Sequence, residues 1–285
     1  MSDQQAARRS ELAAFLRTRR ARLRPADVGL VTGNASGRRR TPGLRREEVA
    51  ELSGVGLTWY SWLEQGRNIT ATSQVIDALA RALLLDPDQH RHLRRLAGLA
   101  LPDPPEDAGR CARAQRLVDL AAPSLAALYD RYFYYLAWNL PYARVRTDPA
   151  TLPTDRRNLL WMMFTDLGNR AMMTRWEAAA RAVLSQFRAA IADRPADPRA
   201  TELITALTAA SPQFRAWWAE YPVRRFRPAT ITLDHPAAGR LDLELFQLAP
   251  TDLPGCTLVL QAPATQTTAT RIAHLISLPP PPTST

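Results

Sequence analysis

The sequence predicts an all-α domain over residues 1–100, joined by a linker to an α+β domain with an antiparallel sheet over residues 113–278. Three observations lead to this fold class. Apolar residues recur at helical spacing through the first domain, which indicates a series of short helices. The segment LPDPPEDAGR at 101–110 holds three prolines and three acids, so we expect a stiff, solvated linker over residues 101–112. Strand-like runs then follow a helical stretch near the end of the chain.

The first two helices of the all-α domain are predicted from their apolar stripes and end signals. The first carries its stripe over residues 12–23, and the basic loop GNASGRRR follows it. The Thr41-Pro42 pair supplies a cap and a proline for the first turn of the second helix, and Gly54 closes that helix.

Three further helices complete the domain. The third spans residues 57–65 and ends at Gly66. Thr72 or Ser73 caps the fourth, and the sequence DPDQ at 86–89 has the form of a capping box that opens the fifth.

The second domain begins with an apolar helical segment at 114–128 and a strand-forming segment at 130–139. Three or four helices are expected over 156–220. Three strand-like runs follow, at 226–233, 240–248 and 256–263. The middle run alternates leucine with acidic residues, which is typical of a sheet with one solvated face. A helix at 266–276 and a disordered tail at 279–285 complete the chain.

Composition and charge limit the function classes. The 285 residues are 46% apolar and contain no run long enough to span a membrane, and the N-terminus lacks the apolar core of a secretory signal. We therefore expect a cytoplasmic protein. Cys111 and Cys256 are single and distant, so neither a disulfide nor a metal or cofactor site is expected.

Positive charge is concentrated in the first domain. All 37 basic residues are arginine and the net charge is +10. Residues 1–100 hold 17 Arg against 10 acids, and residues 101–285 hold 20 against 17. This asymmetry favours a polyanionic partner, with nucleic acid the leading one.

Residues 46–68 carry the pattern of a helix-turn-helix, in which a tight turn joins two short helices. Ala50 stands where the helices cross, Gly54 forms the turn, and Val55, Tyr60 and Leu63 face inward. The residues expected to contact DNA are Leu57, Thr58, Ser61 and Trp62 at base edges, and Arg38, Arg39, Arg40, Arg46, Arg67 and Asn68 at phosphates.

Other interpretations of these residues stay open. Trp59 and Tyr60 fit core packing better than DNA contact, because helical spacing of aromatic residues usually marks a core. Trp62 has the register of an outward residue, but a core position is nearly as well supported. The arginines at 38–40 form either a phosphate-binding loop or an ordinary solvated run, and their place beside a helix-turn-helix favours the first.

The segment RREEVAELSGVGLTWYSWLEQGRN at 45–68 resembles the XRE, or lambda-repressor-like, helix-turn-helix. With RRRTPGL before it and VIDALARALLLDPDQHRHLRRLAGL after it, the chain resembles the MmyB-like regulators of bacteria. Motifs of that family's second domain also match: LAWN (136–139), RRNLLWMMFTD (156–166), WEAAAR (176–181), SPQFRAWW (211–218) and HPAAGRLDLE (235–244).

This resemblance implies a sequence-specific DNA-binding transcription regulator with a lambda-repressor-like first domain and a PAS-like second domain. The second domain is expected to bind a small apolar ligand, such as a fatty acid, that modulates DNA binding. Double-stranded DNA, that ligand and a second copy of the chain are the expected partners. The sequence departs from the family at Gly56, where Ser or Thr usually caps the recognition helix, and at Pro141, which leaves the strand end after Asn139 in question.

PAS-like domains hold ligands between a sheet and the helices that cover it, and flexible methionines suit an acyl chain. Asn139, Arg157 and Asn158 are the polar groups expected at a carboxylate head. The full set of expected ligand-binding residues is Trp138, Asn139, Arg157, Asn158, Trp161, Met162, Phe164, Trp176, Phe187 and Trp217. Each apolar member also fits an ordinary core, and Arg157 also fits an exposed helix start.

An enzyme is not expected, because the sequence has no GxSxG, HExxH, P-loop or GxGxxG signature. Asp166 and Glu177 form a carboxylate pair without a nucleophile or base partner. A DNA reader fused to a catalytic domain is a minor alternative. The other alternative is a DNA reader fused to a protein-interaction module without a ligand, and an apolar pocket in the second domain would count against it.

Overall fold

The computed structural model describes residues 2–30, 43–99, 108–194, 197–220 and 229–279. The chain divides into two compact units, Met1–Pro102 and Asp103–Thr285. No helix in these described ranges is long and apolar enough to cross a membrane. The predictions for arginines 38–40, for residues 101–107 of the linker and for residues 280–285 of the tail fall outside the described residues.

The first unit is all-α, as predicted. Its helices are α1 (Ser2–Arg22), α2 (Arg46–Ser53), α3 (Leu57–Glu64), α4 (Ser73–Ala82) and α5 (Pro87–Leu96), with a short 3₁₀ helix at Pro25–Val28. Thr72 caps α4 by accepting from the backbone of Val75, and Asp86 and Gln89 form the predicted capping box of α5. Apolar side chains from α1 to α5 form one core around the fully buried Leu16, Tyr60 and Ile76.

The predicted start of α2 is wrong: the helix begins at Arg46 rather than at the Thr41-Pro42 pair. The Glu48 carboxylate instead accepts a hydrogen bond of 2.7 Å from the backbone N–H of Arg45. Gly43 explains why α2 begins later in the sequence than predicted. A Cβ atom there would lie 2.6 Å from the backbone of Ala21, so the chain passes directly against α1 before the helix can begin.

The second unit is built on a five-stranded antiparallel sheet in the order β2-β1-β5-β4-β3. The strands are β1 (Leu125–Tyr129), β2 (Tyr135–Trp138), β3 (Ala229–His235), β4 (Gly239–Leu248) and β5 (Thr257–Pro263). The three C-terminal strands fall where the sequence predicts them. An α+β unit with an antiparallel sheet confirms the predicted fold class.

Eight α-helices surround this sheet among the described residues. They are α6 (Ala108–Asp119), α7 (Leu140–Val145), α8 (Leu159–Thr165), α9 (Leu167–Met172), α10 (Trp176–Ile191), α11 (Pro198–Ala210), α12 (Pro212–Ala219) and α13 (Gln266–Ser277), with short 3₁₀ helices at Pro149–Thr151 and Thr154–Arg156. One face of the sheet shares the main core with α8, α10, α11, α12 and α13, while α6 packs against the opposite face of β1 and β2.

Two sequence predictions are wrong in the first part of this unit. The predicted helix at 114–128 ends at Asp119, and its second part is the strand β1. All five residues of β1 are buried, so the strand reads as an unbroken apolar run that periodicity cannot separate from a helix. The predicted strand at 130–139 is shorter, because residues 130–134 form a turn in which the N–H of Asp130 donates to the carbonyl of Tyr134.

Candidate functional site

Helices α2 and α3 form a helix-turn-helix whose turn passes through Gly54. This glycine has φ of 67°, a left-handed conformation that L side chains rarely adopt, and its N–H donates to the carbonyl of Glu51 at 3.1 Å. Helix α3 then starts at Leu57, and Gly56 before it offers no side chain as a cap. The backbone turn rather than a hydroxyl cap therefore sets the start of α3.

The two faces of α3 divide as the sequence predicts. Tyr60 and Leu63 are buried at 0% and 3% exposure, and Trp59 packs partly buried against the same core. On the opposite face Leu57 and Trp62 are exposed by 41% and 38%. The structure therefore places Trp62 at the surface and not in the core. Thr58 is exposed beside it, and Ser61 is half-buried.

Glu64, at the end of α3, is fully buried and fixes α1, α2 and α3 together. Arg20 donates to both of its carboxylate oxygens, at 2.6 and 3.1 Å, and Arg46 donates at 2.7 Å. The Tyr60 hydroxyl donates at 2.8 Å. Burial acts to raise the pKa of Glu64, but the hydrogen bonds from Arg20, Arg46 and Tyr60 outweigh it and hold that pKa below its ordinary value.

The expected phosphate contacts are placed differently from one another. Arg46 gives one N–H group to Glu64, and its side chain is 42% exposed. Arg67 is exposed beside α3, with its guanidinium 5.5 Å from the Trp62 ring centre. Asn68 is exposed, and its amide oxygen accepts from Arg9 at 3.4 Å.

In the second unit, a cavity of about 140 Å³ lies between the inner face of the sheet and α10. Strands β1, β3, β4 and β5 supply one wall. Helix α10 supplies the other through Ala179, Ala182, Val183 and Gln186. A second cavity of about 580 Å³ shares Met173, Ala179, Ala182 and two β3 residues with the first, so the two are neighbours along α10.

None of the ten residues expected to bind a ligand lines either cavity. Asn139 uses its side-chain amide on the backbone of Ala126, Tyr142, Val118 and Ser124. Such a fully bonded amide has no free donor or acceptor for a headgroup.

The other two expected headgroup contacts also bind the backbone. Asn158 caps α8 through Leu160 and donates to the Tyr132 carbonyl. Arg157 donates to two backbone carbonyls, those of Pro149 at 3.0 Å and Leu152 at 3.3 Å. We therefore do not propose Asn139, Arg157 or Asn158 as ligand contacts.

The expected apolar contacts are mostly core. Phe164, Trp176 and Trp217 form one aromatic cluster with Phe214, with ring centres 5.2 to 6.0 Å apart. Phe187 is fully buried among further rings. The remaining three also lie away from the cavity: Trp138 donates to Asp148, Met162 accepts from Tyr135, and Trp161 lies under Arg156.

The cavity instead brings together residues that the sequence analysis did not select. Arg146 follows α7 directly, and this residue lines the cavity and is 7% exposed. Its Nη2 lies 3.8 Å from the Met173 sulfur, and its Nε and Nη1 have no hydrogen-bond partner among the described residues. Gln261 on β5 adds a buried amide oxygen that is also unpartnered. Of these two residues, only Gln261 could have been identified from the sequence, because it is a polar residue at an inward-facing position of β5.

These two units define a DNA-binding transcription regulator with a ligand-binding domain. The family model "MmyB-like transcription regulator ligand binding domain" matches residues 111–275, more than half of the chain, and the model "Helix-turn-helix domain" matches residues 11–93. The chain belongs to the MmyB-like transcription regulator family. Both matched families are regulatory domains. A comparison with curated proteins finds no match.

Proposed function

We propose that this protein is a one-component regulator that reads DNA through α3 and changes its DNA binding when the cavity of a PAS-like second domain takes up an apolar ligand, with a fatty acid as the leading example. The exposed face of α3 supports the first half. Leu57, Thr58 and Trp62 project from a helix whose other side is locked into the core through Glu64. Such a rigid helix positions three side chains for base edges in a major groove.

We further propose that the protein acts as a homodimer on paired half-sites. One helix of eight residues provides few base contacts, and dimers supply the missing specificity through operator symmetry. The bound ligand would act by favouring one arrangement of the two helix-turn-helix units of the dimer over another. This requires that the ligand binds the two arrangements with different affinity.

The DNA-reading proposal can be tested on an operator selected from random DNA by the wild-type protein. Thr58→Ala and Trp62→Ala should each weaken operator binding about tenfold or more while leaving non-specific binding nearly unchanged. Leu84→Ala is the control, since Leu84 is 54% exposed and lies outside α3. Equal loss on operator and random DNA would contradict base reading by α3.

The cavity is the observation that supports the ligand-binding half. It lies between the sheet and α10 and reaches the surface at Ala182 and Ala229, its walls are mainly apolar, and the neighbouring space of about 580 Å³ along α10 lengthens it. A mainly apolar pocket between a sheet and a helix favours a small molecule over a protein partner, because a protein-interaction module needs only a surface.

Two variants on α10 test the position of this site. Ala182 and Ala189 are both exposed on α10, but Ala182 lines both cavities and Ala189 lines neither. Fatty acids should raise the unfolding temperature of the delipidated wild type and of Ala189→Trp, but not of Ala182→Trp. Native mass spectrometry should find bound lipid in gently purified wild type. No bound lipid together with no thermal shift would overturn the ligand proposal.

A further inference from the structure

Arg146 is a buried cation without a counter-charge. Its residue is 7% exposed, and no described acid forms an ion pair or hydrogen bond with it. Removing a guanidinium from water costs several kcal/mol unless opposite charge or good hydrogen bonds replace the water. A weak contact to the Met173 sulfur does not supply that replacement.

The local fold offsets only part of this cost. Arg146 lies at the C-terminal end of α7, where the helix dipole favours a cation, and its own N–H donates to the carbonyl of Tyr142 at 2.8 Å. The Nε and Nη1 groups are buried and remain without an acceptor among the described residues. The Nη1 and Nη2 groups of one guanidinium form an end-on fork that a carboxylate accepts in a bidentate manner, and Nη2 of Arg146 makes only the weak contact to the Met173 sulfur.

The Tyr129 hydroxyl group beside Arg146 is neutral, so it does not supply a negative charge to the guanidinium. Burial raises the pKa of Tyr129 well above its ordinary value, Tyr142 raises it further, and the charge of Arg146 acts in the opposite direction. Tyr129 and Tyr142 both line the cavity and lie within 3.5 Å of each other through their hydroxyl oxygens. This end of the cavity therefore presents positive charge and the neutral hydroxyl group of Tyr129, with no competing carboxylate among its lining residues.

From this arrangement we propose that Arg146 is the headgroup site of the regulatory ligand, and that the ligand is an ionised carboxylic acid that enters with its carboxylate first. The proposal rests on the ligand-binding function proposed above and adds the headgroup contact and the orientation of the ligand. The carboxylate accepts from Nη1 and Nη2 of Arg146, and the apolar chain runs along α10 past Ala179 and Ala182 toward β3, an edge strand of the sheet.

The second cavity supports this orientation. It continues from the shared residues Ala179 and Ala182 to the exposed side chains of Arg175 and Arg240. Arg240 already forms an ion pair with Asp242 at 3.2 Å, and an exposed Arg175 gains little from a carboxylate that water solvates equally well. A carboxylate therefore gains more at the buried Arg146, where it replaces the water that the guanidinium has lost, than at the exposed Arg175 or Arg240.

The test compares octanoate with 1-octanol, which share a chain length but differ in charge, on the delipidated full-length chain. Calorimetry should give octanoate about 10- to 100-fold tighter binding than 1-octanol to the wild type, as expected for charge-assisted hydrogen bonds. Arg146→Met should bring the two affinities within about threefold by weakening octanoate alone. Arg146→Lys should keep part of the preference, because it keeps the charge but not the fork.

The outcomes separate this inference from the proposed function. If Ala182→Trp weakens both compounds and Arg146→Met weakens both equally, or if wild type prefers 1-octanol, the cavity binds ligands but Arg146 is not the headgroup site. If neither compound binds the wild type and no longer fatty acid does, the proposed function itself fails. Should Arg146→Met not fold, the wild-type preference and NMR of octanoate labelled with ¹³C at the carboxyl still decide. A bound carboxyl signal that titrates like the free acid would overturn the proposal.

Discussion

Each unit of this protein buries a charged group, and the two groups are treated in opposite ways. Glu64 in the helix-turn-helix unit is surrounded by donors from Arg20, Arg46 and Tyr60. Arg146 in the second unit has no oxygen acceptor for its guanidinium among the described residues. A buried charge whose partners all come from the fold stabilises the packing of its helices. A buried charge without such partners is available to bind a ligand of opposite charge.

The largest expected effect comes from removing the paired charge. Glu64→Gln should lower the free energy of unfolding of the first unit by about 3 kcal/mol, because Arg20 is then left in a partly buried place without its anion. Hydrogen-exchange mass spectrometry on peptides from α1 and α3 of the full chain measures this. Glu47→Gln removes the same charge from an exposed position and should change little. Equal effects of the two substitutions would mean that the Glu64 pairs do not stabilise the unit.

The same group predicts how stability depends on pH. The folded state holds the pKa of Glu64 below that of the unfolded chain, so its contribution is fully present above the unfolded pKa and is lost as the pH falls through the folded one. The wild type should therefore lose protection in α3 on acidification, and Glu64→Gln should show a flatter profile. The measurement is hydrogen exchange at a series of acidic pH values, corrected for intrinsic rates. Parallel profiles would contradict the assignment of this pH dependence to Glu64.

The sequence predicted the helix-turn-helix around Glu64 better than the cavity around Arg146, and the reason is physical. The faces of α3 follow from helical periodicity, so Tyr60 and Trp62 were assigned to opposite sides by register alone. A cavity is space that side chains leave, and its walls here come from seven elements: β1, β3, β4, β5, α7, α8 and α10. Large aromatic residues such as Trp217 fill a core, whereas small residues such as Ala182 leave room. Choosing ligand contacts by size therefore selected the residues that pack, and Arg146 carries no motif.

The unpaired charge predicts a stability change of the opposite sign. In delipidated protein, Arg146→Met should raise the free energy of unfolding of the second unit by about 1 kcal/mol, because an apolar chain of similar length replaces an uncompensated buried cation. Arg157→Met is the matched control, and it should destabilise, since Arg157 donates to the carbonyls of Pro149 and Leu152. Thermal unfolding of both variants provides the measurement. A destabilised Arg146→Met protein would show that the fold already satisfies this guanidinium.

An exposed charge completes the comparison and gives the smallest effect on the protein itself. Arg67 lies at the surface beside the Trp62 ring, so Arg67→Ala should leave folding stability within about 0.5 kcal/mol of wild type. If Arg67 contacts a phosphate, the slope of log affinity against log salt should fall by about one for operator and random DNA alike. Arg81→Ala, an exposed arginine on α4, should leave the slope unchanged. A slope that stays the same in Arg67→Ala would remove this residue from the phosphate contacts, and the position of Arg67 over Trp62 would then be a packing contact that supports the base-reading face.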